Sequence, residues 1–192
     1  MRALAFDSSG PYVAAALFAG GDSHVRVEPM ARGQGERLMP LLEELLAEAG
    51  ADWSDLTALG VGTGPGNFTG IRISVGAARG LSLGLGIPAY GYSLFDLSPG
   101  ETALPAPAGM GYLGSPGSDP ALVPAAEVPP GAWSPLAAEA PEALAEARAE
   151  LVTRMAEAAL AETSAPARRP TPLYIRPPDA APPKLVPPPR LP

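Results

Sequence analysis

The sequence predicts an α/β fold in which a mixed sheet is covered by helices, and three observations carry that reading. The chain opens with short apolar runs separated by turn residues. A leucine stripe at helical spacing follows. Between Leu59 and Tyr92 the order strand, loop, helix, strand then requires a right-handed crossover between two parallel strands.

Taken in order, Ala3–Phe6 and Tyr12–Phe18 are apolar runs flanking Ser8–Pro11, which reads as a β-hairpin. Gly20–Gly21 makes a second turn, so His24–Val27 begins a third antiparallel strand. Over 34–50, Leu38, Leu41, Leu42, Leu45, Leu46 and Ala49 recur at i, i+3, i+4, i+7, with Glu43, Glu44 and Glu48 mainly opposite as a solvated face. Gly50 stops this helix, and Pro40 inside it, lacking an N–H, predicts a kink. Asp52–Asp55 reads as a cap-like link, Leu59–Gly62 as a buried strand, 70–83 as a helix with Thr69 as its N-cap, and Ala89–Tyr92 as a strand. After Ser93 the composition turns to Pro, Gly and Ala, which predicts irregular loops with two or three short strands as far as Pro135. Residues 142–163 return to a helical pattern, with Leu144, Ala147, Leu151, Met155, Ala158 and Ala159 on one face. From Pro166 a Pro-rich basic tail carries Arg168, Arg169, Arg176, Lys184 and Arg190 against one acid, Asp179. Within it PLYI at 172–175 is the only strand-like piece, suited to lie along a sheet.

The 192 residues suffice for one domain or two small lobes. With no cysteine and a single histidine, disulfide frameworks, Cys-ligated metals and HxxxH zinc pairs are excluded, and a reducing cytoplasm is the expected location. The start has no apolar leader core and no run approaches a membrane span, so neither secretion nor membrane insertion is expected. A net charge of -7 disfavours unaided binding to a phosphate backbone, leaving RNA contact local or shared with a partner.

The stretch GTGPGNFTGIRISVGAARG, 62–80, raises the central question. Its glycines and the following helix N-terminus could cradle an anion, with Gly64, Gly66, Asn67 and Thr69 as contacts. Yet the Lys-Ser/Thr of a P-loop and the GxGxxG of a dinucleotide fold are both missing, and Pro65 removes a donor. Glycines that merely permit a tight turn explain the same letters. In the helix, Gly76, Gly80 and Gly84 stand at i, i+4, i+8, each costing about 0.8–1 kcal/mol relative to alanine. Such a row is tolerable where another helix approaches closely. Two neighbours are open: the chain's own 36–49 helix, or a helix of another chain flanked by Arg72 and Arg79. Among polar clusters, Asp7, Ser8 and Ser9 in the first hairpin turn could hold a Mg²⁺-bound phosphate or simply close an Asx turn. His24 reads as a surface residue.

MRALAFDSS, GERLMPLLEELL and above all GTGPGNFTGIRISVGAARGLSLGLGIPAYGYS closely resemble the TsaB (YeaZ) family of tRNA threonylcarbamoyladenosine biosynthesis. The run GPGNFTGIRI matches that family's G-P-G-S/N-F-T-G-x-R-I signature, and PLYIRP resembles its P-x-Y-x-R near the end. The resemblance implies an actin/Hsp70-like (ASKHA) fold, with 1–93 as N-terminal lobe, 94–165 as a reduced C-terminal lobe lacking the family's D-A-R-x-x-E-V-Y run, and 166–192 as tail. It implies a non-catalytic subunit that binds TsaD, joins TsaE, and supports transfer of threonylcarbamoyl to adenosine 37 of ANN-decoding tRNAs. It further implies homodimers through the same surface when the chain is alone, tRNA touched only indirectly, no intrinsic cofactor, and a place for ATP and Mg²⁺ only in the assembled complex. Carried onto this sequence, the contact surface comprises Leu38, Leu41, Leu42 and Leu45 of the first helix and Arg72, Gly76, Arg79, Gly80 and Leu83 of the second. The rival reading is an enzyme, an ATP-binding or ATP-hydrolysing ASKHA protein or a peptidase, using Asp7 and the 62–70 loop.

Overall fold

A computed structural model of the chain describes residues 1–162 and 169–175. Strands β1 (Arg2–Asp7), β2 (Tyr12–Ala19) and β3 (Asp22–Pro29) form the predicted antiparallel meander. Helix α1 (Gln34–Glu48) leads to β4 (Ala58–Gly62), which pairs parallel to β1. Helix α2 (Phe68–Leu85) crosses to β5 (Ala89–Tyr92), parallel to β4, completing a five-stranded sheet of order β3-β2-β1-β4-β5. A second antiparallel sheet follows, β6 (Thr102–Ala106), β7 (Met110–Gly114) and β8 (Ala121–Pro124), and then α3 (Pro141–Ala161).

The first sheet has two unlike faces because large and small residues alternate along its strands. Leu4, Phe6, Val13, Ala15, Leu17, Leu59 and Val61 point to α1 and α2, where Leu38, Leu41, Leu42, Leu45, Ile71 and Val75 complete the main core. Each of the Leu, Ile, Val and Phe side chains contributes about 1.5–3 kcal/mol by leaving water. The opposite face is paved with Ala3, Ala5, Ala14, Ala16 and Ala58, against which α3 lays Leu151, Val152, Met155, Ala156 and Ala159. Small side chains let this helix approach the strands so closely that a Cβ on Gly60 would lie 2.7 Å from the Met155 carbonyl oxygen. The helix grouped from the sequence with the second lobe therefore packs on the first sheet.

Helix ends follow local chemistry. Gly50, at φ +59, closes α1 in a Schellman motif, with Ala51 N–H bonded to Leu46 O and Gly50 N–H to Ala47 O. Pro40 lies inside α1, which begins six residues earlier at Gln34 and continues to Glu48; Pro40 and Glu36, whose carbonyl loses its partner to the proline, are both exposed. For α2 the predicted cap is corrected. Asn67, not Thr69, is the N-cap, its Oδ1 accepting from Thr69 N–H (2.9 Å) and Gly70 N–H (3.1 Å).

The glutamates of α1 are more than a solvated face. Arg26 on β3 donates to Glu44 (2.8 Å) and Glu48, and Arg37 bridges Glu28 and Glu44 through four bonds of 2.7 Å, stapling β3 to α1. These hydrogen bonds hold the carboxyls of Glu28, Glu44 and Glu48 below their ordinary range. His24 is exposed, as expected.

Residues 169–175 run past the ends of β4 and β5 without forming a strand. Leu173 N–H bonds Thr63 O (2.9 Å), and Pro170 is buried against Gly91. The expectations for Arg168, Arg176, Lys184, Asp179 and Arg190 lie outside the described residues. Among the described residues, no helix is long and apolar enough to cross a membrane.

Candidate functional site

The Gly-rich loop is shaped by what lies under it. At the end of β1 the Asp7 carboxyl occupies the space a side chain at Gly62 would need: a Cβ there would fall 2.0 Å from Asp7 Oδ1. The next residues of the first hairpin press comparably close. A Cβ at Gly66 would lie 2.2 Å from Ser9 O, and one at Gly70 would lie 1.8 Å from Ser8 O, both fixed backbone atoms. These glycines seat the 8–9 turn against the loop and the first turn of α2.

That seating consumes the polar groups expected to meet an anion. Ser8 Oγ donates to Gly70 O (2.9 Å) and lies 2.7 Å from Ser74 Oγ, turned away from solvent. Asp7, wholly buried, accepts from Ser9 Oγ (2.8 Å), Ser9 N–H (3.3 Å) and Tyr12 OH. Burial pushes its carboxyl above the ordinary value, with the Tyr12 and Ser9 hydrogen bonds pulling the other way. Burial and the neighbouring Asp7 charge push the Tyr12 phenol well up, so it stays a neutral donor. At the start of α2, Asn67 Oδ1 takes the Thr69 and Gly70 N–H groups and Asn67 O takes that of Ile71, leaving few of the free donors on which anion binding at a helix start depends. Thr69 itself is exposed.

Beside this loop lies a cleft of about 440 Å³, walled by the first hairpin turn, the 62–67 loop, α3 and the β6–β7 strands. Asp7, Ser9, Gly64, Gly66 and Asn67 line it, whereas Ser8 and Thr69 do not. Its apolar wall includes Leu94, Leu104, Leu136, Leu151 and Met155, and Arg148 enters from α3. The sequence reading did not single out Arg148. The available signal was a basic residue four after Leu144 and four before Val152, on the buried side of α3.

A second feature is the outer face of α2. Gly76, Gly80 and Gly84 are exposed, and a Cβ at any of them meets nothing within 4 Å. Among the described residues nothing fills the glycine row, so the chain's own α1 is not the neighbour. Leu83 beside the row is 85 % exposed. The leucines Leu38, Leu41, Leu42 and Leu45 are correspondingly corrected: they are buried in the chain's own core and offer no side chain to a partner. Arg72 and Arg79 flank the row, but residues 169–175 hold them. Arg79 Nε donates to Pro170 O (2.8 Å), while Arg72 Nε donates to Tyr174 OH (2.9 Å) and stacks on Phe68, 3.8 Å from the ring centre. Among the described residues no group of three or more His, Asp or Glu is placed to hold a metal ion.

Comparison with known proteins agrees with this geometry. The family model for TsaD, tRNA N6-adenosine threonylcarbamoyltransferase, matches residues 28–96, from the end of β3 through α2 and β5. The tRNA threonylcarbamoyladenosine biosynthesis protein TsaB of Escherichia coli strain K12 is 38 % identical over 93 residues, 48 % of this chain. The chain spans 40 % of the length of that relative. Among solved structures, YeaZ from Pseudomonas aeruginosa superposes with a TM-score of 0.59 at 28 % identity, covering 64 % of this chain and 67 % of its own. A crystal structure of an uncharacterized protein with similarity to peptidase YeaZ from Pseudomonas aeruginosa gives 0.69 at 25 % identity, covering 91 % and 99 %. The mixed α/β architecture is therefore that of YeaZ, consistent with an actin/Hsp70-like fold. Over its N-terminal half, which contains the GPGNFTGIRI run, the chain is similar to proteins of the TsaB (YeaZ) family.

Proposed function

We propose that this chain is a non-catalytic, activating subunit in threonylcarbamoyladenosine formation at position 37 of ANN-decoding tRNAs, and that it acts by binding TsaD. The observation that carries the reading is the open glycine row of α2. Three helical glycines cost about 2–3 kcal/mol together relative to alanine, and no contact among the described residues offsets that cost. A partner helix lying along Gly76 and Gly80, with Leu83 as an apolar anchor, does. The same segment falls within the stretch matched by the TsaD family model, as expected if two related subunits pack like faces together in a near-symmetric pair. A homodimer through this face is the form proposed for the chain alone, in the cytoplasm. TsaE, tRNA, ATP and Mg²⁺ join only in the assembled complex.

The enzymatic alternative has less support. Asp7, its proposed centre, is fully buried and accepts three hydrogen bonds from its own chain.

Reconstitution tests the proposal. Threonylcarbamoyladenosine in tRNA, measured by mass spectrometry, is expected to form poorly with TsaD and TsaE alone and to rise at least tenfold on adding this chain. Unchanged formation on adding it would overturn the reading.

A further inference from the structure

The cleft contains a cation with no counter-ion among the described residues. Arg148 is 8 % exposed, and its guanidinium carbon lies 4.3 Å from the centre of the Tyr12 ring. Its Nε is buried without a hydrogen-bond acceptor. None of the ion pairs formed among the described residues includes it. The nearest acids on its own helix, Glu146 and Glu150, are exposed, and Asp7 across the cleft is occupied by Ser9 and Tyr12. A guanidinium buried in this way is costly unless something pairs with it. The positions that follow it on the same face are Leu151 and Met155, so packing alone gives no reason for a charge there.

We propose that the cleft binds a small organic monocarboxylate with an apolar body, its carboxylate on Arg148 and its body along Leu104, Leu136, Leu151 and Met155. The fork of an Arg side chain matches a carboxylate, and about 440 Å³ is the size of a small-molecule site. Charge balance argues against a nucleoside triphosphate. Such a ligand would bring several negative charges to one guanidinium and the buried acid Asp7, beside an α2 start whose donors Asn67 already occupies. The proposal concerns the chain by itself and does not depend on any partner.

The test uses the full chain with 4-phenylbutyrate as probe, 4-phenylbutyramide as its neutral isostere, and ATP with Mg²⁺. Saturable thermal stabilisation by the carboxylate is expected, at least tenfold weaker for the amide, together with movement of the Arg148 Nε–H resonance in ¹⁵N spectra. Arg148→Met is expected to abolish the response while melting no lower than the parent, because it removes an orphan donor; a purely structural Arg148 predicts a lower melting point. Should Arg148→Met fail to fold, the wild-type Nε–H resonance decides. No response to the carboxylate, an equal response to the amide, or a response to ATP alone overturns the proposal.

Discussion

Gly70 and Gly80 lie in the same helix and answer to opposite demands. At Gly70 an added Cβ would drive into the Ser8 carbonyl at 1.8 Å, and neither backbone can yield without unseating the first hairpin turn. Gly70→Ala is therefore expected to destabilise the chain by about 3 kcal/mol or more, beyond ordinary overpacking, as read by urea denaturation. At Gly80 the added methyl meets nothing. Gly80→Ala is expected to stabilise the isolated chain by about 0.8–1 kcal/mol through helix propensity. Glycines with such opposite roles look alike in the sequence. The letters GTGPGNFTG announced a tight turn but not the Ser8 and Ser9 carbonyls beneath it, because that contact joins residues some sixty positions apart. Arg148 was missed for a related reason: its burial depends on a cleft that exists only once β6, β7 and α3 meet the first hairpin.

For the elements, periodicity was informative. The alternation in β1 and β2 and the leucine stripe of α1 are local patterns that fix which face is buried, and the fold keeps them. The cap of α2 was misplaced by two residues because Asn67 and Thr69 are both good capping residues, and only the position of the Asn67 side chain separates them. Asn67→Ala is expected to cost about 1 kcal/mol, measured against Thr69→Ala, which is expected to cost little. The staple between β3 and α1 was not legible at all, since it pairs Arg26 and Arg37 with glutamates up to 22 residues away. It makes stability pH-dependent. Glu28, Glu44 and Glu48 have folded values held below 4.5, so their contribution is present above that pH and is lost as pH falls through the lowered values. Asp7, raised by burial, has the opposite sign, its penalty easing as acid protonates it. Melting temperature is expected to fall as pH drops below 4.5 through the lowered values of these glutamates, and to fall less steeply in Arg37→Met. A parallel pH dependence in that variant would remove the staple from the account.

At the scale of the whole molecule, one sheet carries two unlike surfaces. Its large-residue face is closed by α1 and α2, and its alanine face by α3, which the sequence grouped with the second lobe because the Pro-rich stretch before it looked like a boundary. Residues 169–175 return to hold Arg72 and Arg79 beside the exposed row Gly76, Gly80 and Gly84. Of the interface expected from the sequence, Gly76, Gly80 and Leu83 are exposed, Arg72 and Arg79 are held by residues 169–175, and the α1 leucines are buried. The central claim is that this glycine row receives a helix of TsaD. Its most direct test is size-exclusion chromatography of the chain with TsaD from the same source, comparing wild type with Gly80→Leu, whose fold is checked by its melting temperature. A stable heterodimer for wild type and separate peaks for the well-folded variant are predicted; co-elution of Gly80→Leu with TsaD at wild-type concentration would contradict the account.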